Sequence, residues 1–431
     1  MARILVVGGS LGGLFAANIL HRDGHDVTVF EKVRGSMNGR GAGIVSHDAL
    51  EAALSRAGLQ GDTALGISVP GRVMLGCDGT VDTLLDMPQI LTSWSRLYQL
   101  LLDAFPAERY VQGAAVTEVL DSANSVQVEA IRDNQPLRWE GDLLVASDGI
   151  RSSVRQRCFP QAQPRYAGYV GWRGVCEEAV LSQHMLSTLF PRFGFCMTDT
   201  EQIIGYPVAG SGNKLGPGRR AYNFVWYRPV PAGHSLIDLM TDADGVHHPQ
   251  GVPPNKVSWR QIARARQDAQ RLLAPQFAEV IEKTAQLFFQ PIYDLQSEQL
   301  CQGRVALMGD AAFVARPHVG MGVTKAAEDA VALADALRQH GTTSLALQTY
   351  EGLRLAAGLH TVKRARWLGG YMERAAEEGV ERLDAPMSTA ERAYQTLHET
   401  AIDIGRYGHL TTFEKPGEIS AHPRPGAQSI A

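Results

Sequence analysis

The chain opens on Ile4-Leu5-Val6-Val7-Gly8-Gly9-Ser10-Leu11-Gly12-Gly13, and the reading of this stretch with its continuation to Glu31 decides the fold. Ile4 to Val7 is a short unbroken apolar run, the signature of a strand buried on both faces. After the glycines, Leu14, Ala17 and Leu20 recur at helical spacing, and Gly24 can end that helix from the position just past its C-terminus. Val27-Thr28-Val29-Phe30 then reads as a second strand, ending on the acid Glu31. Strand, glycine turn, helix, strand and an acid about twenty residues on make the fingerprint of a dinucleotide-binding βαβ unit. The glycines allow a tight turn, close approach of a pyrophosphate and close packing of helix on strand, while the free N–H groups of the helix attract the anion. Ser10 occupies the slot where a second glycine is expected.

Working outward, 431 residues exceed what one core usually organises, so two domains are expected. Apolar content of 45%, charged content of 20% and a net charge of −4 describe an ordinary globular chain, with no reason to expect nucleic acid or an anionic membrane as partner. No apolar run approaches the ~20 residues of a membrane helix, and the early first strand leaves no room for a secretory leader. Five scattered cysteines without a CxxC pair point to a reduced, cytoplasmic chain. His247-His248 has no further ligands at metal-site spacing, so no metal is expected.

A glycine-dense loop, residues 34–43, follows the first unit and carries Arg40; on spacing it is either a solvent-exposed loop arginine or a contact to a phosphate or ring edge. Asp48 is a candidate N-cap for a helix ending at Gly58, and residues 66–92 read as short strands with a hairpin at Asp78-Gly79. A helix is predicted over 94–104 and strands over 111–119 and 125–131. A second apolar strand, Leu143 to Ser147, runs into Asp148-Gly149, and a third, Gly303 to Met308, runs into Gly309-Asp310. A buried strand ending this way places its last residues at the ligand edge of a parallel sheet. Between them, 166–289 is aromatic, strand-like and separated by turns, and reads as a mostly antiparallel sheet followed by one helical stretch over 259–282. A glycine-rich run, Gly320-Met321-Gly322, enters a long helix stopped by Gly341; residues 344–407 read as helical, with a loose tail beyond.

The fingerprint with Glu31, Asp148-Gly149 and Gly309-Asp310, at these separations, resemble the single-component FAD-dependent aromatic hydroxylases of the p-hydroxybenzoate hydroxylase fold. Arg40-Gly41-Ala42-Gly43-Ile44-Val45, Tyr166 to Val175, Met240-Thr241-Asp242 and Gly309-Asp310-Ala311-Ala312 with Arg316-Pro317-His318 are similar to the 2,6-dihydroxypyridine 3-hydroxylase branch. The resemblance implies an α/β chain: a Rossmann-type domain for FAD and NAD(P)H (1–65, 94–165 and 295–345), an interleaved, mostly antiparallel substrate domain (66–93 and 166–294), C-terminal helices (346–411) and a tail (412–431). It implies FAD extended over Gly8, Ser10, Leu11, Gly13, Glu31 and Lys32, with Arg40, Gly41 and Val116 beside it. The ribityl chain and pyrophosphate would lie near Gly309 and Asp310, and the ring beside Pro317, Gly320, Gly322, Val323 and Thr324. Asp148 and Gly149 would serve both FAD and NAD(P)H. NADH or NADPH would bind transiently, since no second glycine-rich βαβ unit is present. A flavin C4a-hydroperoxide formed from O2 would then hydroxylate a small hydroxylated aromatic such as a dihydroxypyridine. A homodimer is one oligomeric option the sequence leaves open.

Such chemistry needs a base that keeps a substrate hydroxyl near its anionic form, and histidine or tyrosine suits it. His47, Tyr206 and His318 are the candidates. Against these roles stand a helix-entry histidine, a packed core tyrosine and a loop histidine satisfied by backbone. Three positions depart from the family pattern: Phe313 replaces a histidine, Thr324 an asparagine and Trp94 an arginine. Alternatives are a hydroxylase of another phenolic or polycyclic ring, or a flavin-binding protein without hydroxylase activity. The lack of CxxC and of Trp-x-Trp-x-Ile-Pro counts against dithiol reductases and halogenases.

Overall fold

The computed structural model describes residues 1–35, 37, 43–59, 65–373, 388–411 and 413. Three sheets organise them. The first has the strand order Cys301–Gln302, Val305–Leu307, Leu143–Ala146, Arg3–Val7, Asp26–Glu31, Tyr110–Gln112, parallel except for the short first edge. Arg3–Val7 sits between Leu143–Ala146 and Asp26–Glu31, which is why its apolar run is continuous. The helices Leu11–Arg22, Trp94–Ala104 and Gly322–His340 pack together against this sheet. A three-stranded antiparallel sheet, Ala115–Asp121, Val126–Arg132 and Gln135–Gly141, covers it further, with Trp139 edge-on to Phe30 at 4.7 Å.

The eight-stranded sheet runs Phe288–Asp294, Arg165–Glu177, Arg220–Pro229, Gln202–Ala209, Phe193–Met197, Ile67–Leu75, Val81–Ser93, Gly43–Val45. It is antiparallel but for the pair Phe193–Met197 with Ile67–Leu75. Strand alternation splits its side chains between two cores. Tyr222, Phe224 and Trp226 face the helices Trp259–Leu272 and Pro275–Lys283. Tyr169, Tyr206, Val225 and Tyr227 share the opposite core with Val45, Leu397 and Ala401.

Four local readings need correction. The helical stretch expected over 259–282 is two helices, because Pro275 has no N–H to continue the first and instead opens the second at its first turn. His47, in extended backbone, is the cap residue of Asp48–Arg56, and Asp48 lies inside its first turn. The strand Gln135–Gly141 lies outside the expected strands, since its outward residues are mostly polar and only Trp139 and Gly141 turn inward. The strand expected over 111–119 is two, Tyr110–Gln112 and Ala115–Asp121, parted at Gly113, whose φ is 71°. Among the described residues no helix is long and apolar enough to cross a membrane.

Candidate active site

The site begins at the first glycine turn. Gly8 has φ 101°, and a Cβ there would lie 2.3 Å from the Ser147 carbonyl oxygen; one on Gly13 would lie 1.8 Å from that of Gly8. Ser10 caps Leu11–Arg22 through its backbone only, so the first N–H groups of that helix have no side-chain partner and the helix start carries no acid. Glu31 is buried, and its carboxylate accepts from the Gly9 N–H at 3.0 Å and the Val33 N–H at 2.8 Å. It braces the turn from the end of the second strand. The Tyr110 hydroxyl donates to the Gly9 carbonyl at 2.7 Å. Leu11 is buried, Lys32 is exposed and Val116 is half-buried on the three-stranded sheet. Arg40 and Gly41 lie outside the described residues.

The ends of the other two central strands meet this turn. Asp148 Oδ2 accepts from the Ser153 N–H at 2.8 Å at the start of the helix Ser153–Cys158, whose cap is Ser152, while Gly149 takes φ 79°. Arg155, fully buried, donates to the Ala162 carbonyl at 3.1 Å and the Ala311 carbonyl at 3.0 Å. It ties the Asp148-Gly149 turn to the Gly309–Ala311 turn, a role that no pattern in Ser152-Ser153-Val154-Arg155 announced. The Gly309 N–H donates to Asp329 at 2.9 Å. The Asp310 residue is exposed, and the protein around it, aided by Asp329 and opposed by Lys325, raises its carboxyl above the ordinary range.

A second helix start lies beside these turns. Gly322–His340 has neither a side-chain cap nor an acid in its first turn, and its Ala326 methyl is the common neighbour of Gly12 and Gly309. Gly8, Ser10 and Gly12 are half-exposed, and Asp310 and Gly322 are exposed. Two uncapped helix N-termini, a backbone that side chains would block and a carboxylate between them fit an extended dinucleotide.

At the far end, Pro317–Val319 forms a short turn closed by Gly320 at φ 66°, followed by half-buried Val323 and buried Thr324. His318 is fully buried, shares a 3.0 Å hydrogen bond between its Nε2 and the Tyr169 hydroxyl, and lies 4.2 Å from the Tyr227 ring. Burial, with Arg316 and Arg173 nearby, pushes it down to about 3. His47 Nδ1 shares a 2.7 Å hydrogen bond with Thr324 Oγ1, and burial pushes His47 down to about 4 against the pull of Asp403. Tyr206 packs over Gly43 and edge-on to Phe193, its phenol raised by burial. The three candidates converge: Ala401 lies beside His47 and its N–H donates to the His318 carbonyl, and Arg173 is common to Tyr206 and His318. Phe313 packs onto Gly358, and Trp94 stacks on Tyr98 at 4.8 Å, so these two of the three departures from the family pattern pack against other residues of the chain.

The depressed His47 gives a signed expectation. The unfolded chain binds a proton near pH 6.5 and the folded one only near 4, so this group's contribution to stability is present above about 6.5 and is lost as pH falls through about 4. His47→Asn should remove on the order of 3 kcal/mol of that acid sensitivity. Urea midpoints of both proteins at neutral and mildly acidic pH check it; parallel losses would contradict it.

A family model described as an FAD binding domain matches residues 1–227 and 246–365, and one described as FAD binding domain-like matches 166–294. The 2,6-dihydroxypyridine 3-monooxygenase of Paenarthrobacter nicotinovorans is 32% identical over 368 residues, 84% of this chain and 90% of that protein. The solved structure of 2,6-dihydroxypyridine-3-hydroxylase from Arthrobacter nicotinovorans matches with a TM-score of 0.79 at 27% identity, covering 90% of this chain and 99% of that one. Klebsiella pneumoniae HpxO, crystallised with FAD and uric acid, matches with a TM-score of 0.65 at 26% identity over 84% of this chain and 88% of that one. The chain therefore belongs to the FAD-binding family of aromatic monooxygenases, flavoprotein enzymes whose cofactor is FAD and whose reductant is NAD(P)H.

Proposed function

We propose that the protein hydroxylates a small, hydroxyl-bearing heteroaromatic of the dihydroxypyridine kind, with O2 and NADH or NADPH as co-substrates. The observation that carries the reading is the junction where Tyr169, Tyr206 and Tyr227 on one sheet face meet His318, Thr324 and His47 from the dinucleotide side. Likeness over nearly the full length to a dihydroxypyridine hydroxylase supports the ring class.

FAD supplies the redox and oxygen-activating chemistry when bound. In this reading Gly8, Ser10, Leu11 and Gly13 hold its ADP half, Asp310 its ribityl chain, and Pro317 to Thr324 its ring. The aromatic sheet face and Ala401 keep water from the reacting ring. His318 and His47 stay neutral near pH 7, each with one buried ring nitrogen without a hydrogen-bond partner among the described residues, Nδ1 and Nε2 respectively. A neutral imidazole can accept a hydrogen bond from a substrate hydroxyl and so orient it. Tyr206 stays protonated and serves as a donor. Five free cysteines are consistent with a cytoplasmic setting.

Tyr206→Phe should therefore raise KM several-fold, the worth of one hydrogen bond at about 0.5–1.5 kcal/mol, and leave the pH profile of kcat in place. A shifted profile would make Tyr206 the base instead. The reading as a whole is tested by O2 uptake and NAD(P)H oxidation against hydroxypyridines and hydroxybenzoates, with the product's mass determined. Hydroxypyridine-stimulated turnover giving a product one oxygen heavier is expected. Stimulation by benzoates or polycyclic rings alone, or by nothing in the panel, would overturn it.

A further inference from the structure

Arg173 is a half-buried arginine on the site-facing side of the strand Arg165–Glu177, with its Nε buried and without a partner among the described residues. Its cross-strand neighbours, Val225 on one side and Phe288 on the other, offer no acceptor. No carboxylate among the described residues forms an ion pair with it, although Arg228 and Arg220, from the next strand, are each paired with acids. The titratable groups that face it are Tyr206 from Gln202–Ala209, Tyr227 from Arg220–Pro229 and His318 from the Pro317–Val319 turn. Burial keeps both phenols protonated and the imidazole uncharged, so none of the three brings an anion to it.

A buried guanidinium N–H without an acceptor costs free energy that a bound acceptor removes. A ligand oxygen placed between Tyr206 and His318 would supply that acceptor to the Arg173 Nε. We infer that Arg173 is the anion-binding residue of the substrate cavity and holds the deprotonated ring hydroxyl of the substrate. The inference rests on the hydroxylase reading above and sharpens it: the substrate binds as its oxyanion. A planar guanidinium suits an in-plane ring oxygen, or two neighbouring acceptors on a heteroaromatic edge. The same charge favours the anionic ring, which is the more electron-rich form. The proton leaves to solvent, since neither His318 nor His47 holds one near pH 7, and Arg173 holds the charge that remains.

The test uses FAD-loaded wild type, Arg173→Met and Arg173→Lys, titrated with 2,6-dihydroxypyridine and with 2,6-dimethoxypyridine, which has no ionisable hydroxyl. Binding is read from the flavin absorbance and the ionisation state from the ligand's own spectrum, over neutral to mildly alkaline pH. Arg173→Met should weaken the dihydroxypyridine roughly ten- to a hundred-fold, leave the dimethoxypyridine unchanged and raise the pH at which the bound ligand ionises. Arg173→Lys should recover part of both effects, and serves alone if the methionine variant loses its flavin. Equal dihydroxypyridine binding by variant and wild type, equal loss of both ligands, or a loss confined to NAD(P)H affinity would overturn the role of Arg173 while the hydroxylase reading stands. Wild type that binds no hydroxylated ring overturns both.

Discussion

Asp310→Ala is expected to purify without flavin while its apoprotein stays folded. Asp310 is exposed on the turn next to Gly309, and the helix starts at Leu11 and Gly322 carry no side-chain caps. The turn that carries it does not depend on its side chain. The Gly309 N–H is held by Asp329, the Ala311 carbonyl by Arg155, and the Phe313 N–H donates back to Gly309. Its carboxyl is raised in the folded state, so ionised Asp310 opposes folding at neutral pH and its removal leaves apoprotein stability unchanged or slightly increased. FAD loses a charge-assisted hydrogen bond worth about 1.5–3 kcal/mol, roughly a ten- to hundred-fold weaker complex. Titration of apoprotein with FAD, alongside a melting curve, separates the two effects. Asp310→Asn should fall between. A variant that retains full flavin would remove Asp310 from the cofactor site.

How much of this was legible follows from which interactions are local. The three central strands announce themselves as apolar runs because each is buried on both faces. The turns after them are legible because Gly8 at φ 101° and Gly309 at φ 59° occupy backbone space that other residues avoid. Edge and covering elements lack that signal. Gln135–Gly141 shows solvent a mostly polar face and turns only Trp139 and Gly141 inward, too few to mark a strand. Contacts distant in sequence have no period at all. Nothing near Ala401 indicates that its N–H reaches His318, or that Arg72, fully buried, donates to the Leu397 and Ala401 carbonyls. Arg173 falls between: its motif was visible, but the sheet face it occupies depends on the register with Val225 and Phe288. Pro275 is a different case, because a proline in that stretch was itself the mark of a new helix.

Arg316→Met is expected to destabilise the protein by about 3–5 kcal/mol, the cost of breaking a buried ion pair by removing one partner. Arg316 is 2% exposed, and its Nε and Nη2 donate to the two oxygens of Asp294 at 3.0 and 2.8 Å. Arg366 donates to Asp294 at 3.0 Å, and Glu373 also pairs with Arg316. Without Arg316 the buried Asp294 keeps Arg366 as its one cation among the described residues, itself partly exposed and therefore a weaker partner. The double variant Arg316→Met with Asp294→Leu should recover much of the loss, because two buried charges then disappear together. Loss of the Arg316 charge lets His318 rise from about 3 toward its ordinary value, so the variant pays less than wild type for keeping a neutral imidazole in acid. The difference in stability between variant and wild type should thus be widest near neutral pH and narrow toward pH 5, as read from urea unfolding of both apoproteins. A deficit below 1 kcal/mol at neutral pH, or one that widens in acid, would mean that the pair neither anchors the Pro317–Val319 turn nor holds His318 neutral.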